Sequence, residues 1–96
     1  MTTLTFQNTL NAINNFQDAH YENEQVMEFT NALWRQLHNI FKCHWFSKEE
    51  LALHMFSDAD VLESVCEEDE ATFDWNEARD LQRDVFNTAV NFFGLA

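Results

Sequence analysis

Ninety-six residues with 46% hydrophobic content, ten Phe and three Trp supply one hydrophobic core, which argues against both a disordered chain and a second domain. Proline is absent and glycine occurs once, so the positive-φ turns of a hairpin-rich β fold have almost nothing to use; the composition predicts a single all-α domain over 1–96. Seventeen Asp and Glu against five Lys and Arg give a net charge of −12, a field that repels nucleic acid and anionic membranes and attracts cationic protein surfaces.

The first predicted helix spans about 4–19. Phe6, Leu10, Ile13 and Phe16 recur at spacings of three and four, with Asn8, Asn11, Asn14 and Asn15 mostly elsewhere on the wheel. The stretch "AHYEN" breaks it, and Asn23 is placed to cap a long central helix over about 24–45, with Glu24 at its positive end. Val26, Phe29, Leu33, Leu37 and Ile40 form one apolar stripe there, and Met27, Trp34, Phe41 and Trp45 a second beside it. "SKEE" at 47–50 has the form of a capping box opening a short helix "LALHMF". "SDAD" at 57–60 repeats the device, with Ser57 as the expected cap, and opens "VLESVC". After the acidic link "EEDEAT", Asp74 with Glu77 starts a final long helix over about 75–93, with Gly94 as its C′ residue. Trp75, Ala78, Leu81, Val85, Ala89 and Phe92 are expected to face inward on it. The sum is a compact bundle of about five helices, two of them long, with no internal repeat.

Motifs for chemistry are missing. His38 and His44 are six residues apart, Cys43 and Cys66 make no CxxC pair, and His54 stands alone, so neither a structural metal centre nor a disulfide framework is expected. No EF-hand register fits: counted from Asp58 the fifth position is Leu62, and counted from Asp69 the third is Ala71. A chain whose one glycine is Gly94 has no phosphate-cradling loop, and neither GxSxG nor a dinucleotide fingerprint occurs. The expectation is a non-enzymatic protein without cofactor. The opening "MTTLTFQNTL" lacks a basic, then apolar, leader pattern and no apolar run reaches membrane-span length, so a cytoplasmic protein with reduced thiols is expected.

The informative feature is where the acids lie. Residues 57–96 hold eleven of the seventeen carboxylates and two of the five bases. Laid out as helix, the window 57–84 is roughly 42 Å long with a carboxylate every ~4 Å, close to the ~3.4 Å axial spacing of phosphates along one DNA strand. Asp58, Asp60, Asp74 and Glu77 also suit helix N-termini. Glu63, Glu67, Glu68, Asp69, Glu70, Asp80 and Asp84 repel one another and have no such local reason. Arg79 and Arg83 are each expected to pair with a neighbouring acid on their own helix. Phe73, just before the Asp74 cap, is either a staple onto the following turn or, with those acids, an interface anchor.

In size, charge and helicity the chain is similar to the acidic anti-restriction and anti-CRISPR proteins of phages and mobile elements. That resemblance implies a small inhibitor occupying the cationic groove of a nucleic-acid-binding protein, without itself binding nucleic acid or membrane. The partner-binding candidates are Asp58, Asp60, Glu63, Glu67, Glu68, Asp69, Glu70, Phe73, Asp74, Glu77, Asp80 and Asp84. Two other readings stand beside it: an immunity-type or regulatory protein that masks a basic toxin or enzyme, and a scaffolding domain whose charge serves solubility. The breadth of the apolar faces also leaves room for a homodimer.

Overall fold

A computed structural model of the chain describes residues 6–58 and 60–95, the Asp58 side chain excepted. Its helices are α1 (Phe6–Ala19), α2 (Glu24–Lys42), α3 (Lys48–Leu53), α4 (Val61–Val65) and α5 (Trp75–Phe93). A π turn, His54–Asp58, prolongs α3, a 3₁₀ turn, Glu68–Glu70, lies between α4 and α5, and no strand occurs among the described residues. The fold is the all-α bundle that the composition predicts.

Helix α2 is the axis of the core. Val26, Phe29, Leu33, Leu37 and Ile40 are fully buried, each burial stabilising by roughly 1.5–3 kcal/mol. Helices α1, α4 and α5 all pack on α2, and α1 also packs on α5. Ile13 and Phe16 come from α1, Leu51 and Met55 from α3 and its π turn, Leu62 from α4, and Ala78, Leu81, Val85, Phe86 and Ala89 from α5. The second α2 stripe lies at the margin: Met27 and Phe41 are half-buried and Trp34 is exposed.

Local chemistry sets the helix ends. Asn23 caps α2 through its Oδ1, which accepts from the Val26 N–H at 3.2 Å. Ser47 accepts from the Glu50 N–H to open α3. Asp60, not Ser57, caps α4: its Oδ1 accepts from the N–H groups of Leu62 and Glu63, because the π turn carries the chain on past Ser57 before the next helix starts. Asp74 does the same for α5 with Asn76 and Glu77. Gly94 closes α5 at φ 64°, and the bonds Leu95 N–H to Val90 O and Gly94 N–H to Asn91 O form a Schellman motif. Helix α2 ends at Lys42, short of the expected 45, because Trp45 folds back and its Nε1 donates to the Ile40 carbonyl at 2.9 Å. The same carbonyl of the last turn also accepts from the Cys43 N–H at 3.3 Å, so a backbone and a side-chain donor from outside the helix converge on it.

Cross-helix contacts give the directions. The Asn23 amide reaches Thr72, Phe29 stacks on Phe73, and Phe41 meets Phe92 and Phe93 edge-on or tilted. Helices α2 and α5 therefore run parallel, N-terminus beside N-terminus, and α1 runs against both, with Phe6 on His38 and Phe41. On α5, Phe92 departs from the expected inward face and is exposed, whereas Gln82 and Phe86 are buried in its place. At the last turn Phe93 and Leu95 pack against the core, while Phe92 meets Phe41 edge-on at the margin.

Candidate functional site: the acidic end

The two parallel N-termini give the bundle one positively polarised end, and the carboxylates gather there. Glu24 and Asp74–Glu77 occupy the first turns and caps of α2 and α5, where helix dipoles favour negative charge. Between α4 and α5 the chain makes the turn Glu68–Glu70, preceded by Glu67, and all four side chains are exposed.

Four like charges in succession would splay a free loop. This one is held by α2. The Gln25 Oε1 accepts from the Thr72 N–H at 2.9 Å and from the Thr72 hydroxyl at 2.8 Å, while its Nε2 donates to the Glu70 carbonyl at 3.2 Å. The Asn23 Nδ2 donates to the Thr72 hydroxyl at 2.8 Å and to the Thr72 carbonyl at 3.2 Å. Two uncharged amides thus secure the backbone directly after the acidic run. Below it, Phe73 stacks on Phe29, meets Phe16 edge-on and lies nearly parallel to Trp75.

A second network fixes α4 against α5. Arg79 Nη1 donates to Asp60 Oδ2 at 2.6 Å and to Gln82 Oε1 at 2.9 Å, Arg79 Nη2 donates to Glu63 Oε1 at 2.6 Å, and Gln82 Nε2 donates to Asp60 Oδ1 at 3.2 Å. Burial works against the Arg79 charge, but the bonds and charges of Asp60 and Glu63 outweigh it and raise its pKa. The guanidinium also lies 5.5 Å from the Trp75 ring centroid. Arg79 therefore pairs across to α4 rather than along its own helix, whereas Arg83 makes a looser 3.6 Å pair with Asp80 one turn away.

This geometry sorts the candidates. Glu63, Glu67, Glu68, Asp69, Glu70, Asp74, Glu77, Asp80 and Asp84 are exposed. Two are corrected. The Asp60 side chain is only 5% exposed and committed to the α4 cap, Arg79 and Gln82, so it is a structural carboxylate. Phe73 is half-buried over Phe16 and Phe29, so it anchors the acidic turn to the core with only part of its ring in water. The Asp58 side chain lies outside the described residues.

Six of these exposed acids fall into two groups. Glu63, Glu67 and Glu68 border a cleft of about 630 Å³ floored by Trp75 and Arg79. Glu77, Asp80 and Asp84 line a shallower groove of about 370 Å³ against Ala12, Asn15, Phe16 and Ala19 of α1. At ~100° per residue the two flanks of α5 are roughly 150° apart. Burial, then the nearby Asp80 charge, raises the Asp84 pKa, with Arg83 opposing. Burial, then Glu70, also pushes the Cys66 thiol up.

Asn23 was legible as a cap, but its second role, and those of Gln25, Thr72 and Gln82, were not. The available signal was a glutamine at an inward position of α5, which demands a buried polar partner. Each histidine lies against an aromatic ring: His20 on Phe16, His38 on Trp34, His44 on Phe46 and His54 on Trp45. Both cysteines are free, Cys43 exposed and Cys66 buried. Among the described residues no three His, Cys, Asp or Glu side chains group so as to hold a metal ion, and no helix is long and apolar enough to cross a membrane. No protein family, no curated protein and no solved structure matches this chain.

Proposed function

We propose that the chain is a small inhibitor whose acidic end occupies the cationic groove of a nucleic-acid-binding protein, in the manner of anti-restriction and anti-CRISPR proteins. The observation that carries this reading is the clamp of Gln25 and Asn23 on Thr72. A chain that needed charge for solubility alone would have no use for ordering the backbone beside Glu67–Glu70. A backbone already ordered loses little freedom on binding, which favours a surface that presents its charges in a set order as a phosphate backbone does. On α5 the axial separations Glu77–Asp80 and Asp80–Asp84 are about 4.5 and 6 Å, of the order of the distance between phosphates.

The test is capture of partners from a host lysate at low and moderate ionic strength, followed by challenge with duplex DNA or RNA. The captured protein should be basic, should leave as salt rises, and should be displaced by the duplex. The variant Glu67→Gln/Glu68→Gln/Asp69→Asn/Glu70→Gln should bind it at least about tenfold more weakly. Capture indifferent to salt and to this variant sinks the proposal. Capture that is salt-sensitive yet untouched by nucleic acid selects instead a masking protein that binds beside the groove.

A further inference from the structure

The end of the bundle opposite the acids has the reverse composition. It is built from the start of α1, the second half of α2 and the second half of α5, and residues 6–12, 33–42 and 85–93 of those helices contain no Asp or Glu, in a chain of net charge −12; the exposed Glu49 and Glu50 open α3, the helix that follows α2. They contain instead a continuous run of rings: Trp34 meets His38 at 4.1 Å, His38 meets Phe6 at 5.4 Å, Phe6 meets Phe41 at 5.1 Å, and Phe41 meets Phe92 at 4.7 Å. Trp34 is 43% and Phe92 64% exposed, leaving roughly 200 Å² of aromatic surface in water from these two alone. That is about a quarter of the ~800 Å² each partner contributes to a stable interface, and it suits the aromatic, charge-depleted centre of one.

We infer that this face binds a second copy of the chain, forming a two-fold dimer with its acidic ends pointing outward. The argument is one of charge. Two bodies of net charge −12 meet at least electrostatic cost through the helix stretches that carry no carboxylate. Arg35 and Lys42 lie on the same half of α2, and the carbonyl ends of α2 and α5 point the same way, so this end offers both cations and negative helix termini to a two-fold contact. A basic target meets only those cations here, and nucleic acid is repelled by the field of the whole molecule.

Sedimentation equilibrium of the full chain tests this, at two salt concentrations, with the variants Phe92→Glu and Tyr21→Glu. Tyr21 is 71% exposed at the opposite end and controls for the loss of an exposed ring and the gain of a charge. The wild-type and Tyr21→Glu proteins should weigh two chains at micromolar concentration. Phe92→Glu should weaken the dimer at least about tenfold while keeping its helical circular dichroism. Added salt should strengthen the dimer or leave it unchanged, because it screens repulsion between like bodies. A monomeric wild type, equal behaviour of the two variants, or a mass that climbs past two chains with concentration would each overturn the inference. Capture of a basic partner by the acidic end has the opposite salt dependence, so the two ideas fail separately.

Discussion

The acidic and aromatic ends of this bundle are made by the same three helices, yet they are stabilised by opposite means. At the acidic end the N-termini of α2 and α5 lie side by side, and capping, helix dipoles and the Asn23–Gln25–Thr72 clamp hold a surface that repels itself. At the other end rings meet edge to face, the helix stretches that carry them hold no carboxylate, and part of the apolar surface stays in water. A parallel pair of long helices makes this polarity available, because an antiparallel pair would cancel its dipoles at both ends.

Breaking the core under each end gives the largest contrast. Phe29→Ala removes a fully buried ring beneath the acidic turn and should cost about 3–5 kcal/mol in urea unfolding. Phe92→Ala, at the exposed aromatic end, should cost the monomer less than about 1 kcal/mol. Next comes the bridge between α4 and α5. Arg79→Met leaves the inward-turned Asp60 carboxylate without its cation and should cost about 3 kcal/mol, whereas Glu63→Gln, with its side chain 62% exposed, should cost under about 1 kcal/mol.

The clamp is the sharper probe of the acidic end. Gln25→Ala should lower stability by about 1–2 kcal/mol and speed amide exchange at Thr72, with net charge unchanged. If order in the turn matters to binding, this variant weakens partner capture; full affinity with fast exchange at Thr72 shows that order is dispensable.

The smallest effect concerns pH. The folded-state pKa of Asp84 is raised, so the folded protein binds that proton more readily than the unfolded chain. The penalty is therefore complete above the folded pKa and relieved as pH falls through it towards the unfolded value. Asp84→Asn should stabilise by a few tenths of a kcal/mol at neutral pH. Its advantage over wild type should shrink on mild acidification, as read by paired thermal melts. An advantage that grows towards acid refutes the sign.

What was local was legible. The apolar stripe of α2, the caps Asn23, Ser47 and Asp74, the Gly94 terminus and the α5 bounds all follow from spacing and from residues within one turn. The exposed run Glu67–Glu70 was equally visible, because nothing adjacent in the chain can pair it. Three features were decided only by packing: the inward turn of Asp60, the seating of Phe73 on Phe16 and Phe29, and the division of the acids between two flanks of α5. Each depends on groups brought together from different helices, up to 72 positions apart for Ala12 and Asp84, which periodicity cannot pair because it reports a helix's own face and not what will cover it. The stop of α2 at Lys42 has a shorter version of the same cause, since a tryptophan three residues beyond the helix turns back to satisfy it. Sequence alone therefore determined the helices and the sign of each region's charge. Tertiary structure decided which charges stay in water, because burial and cross-helix hydrogen bonds belong to the assembled bundle.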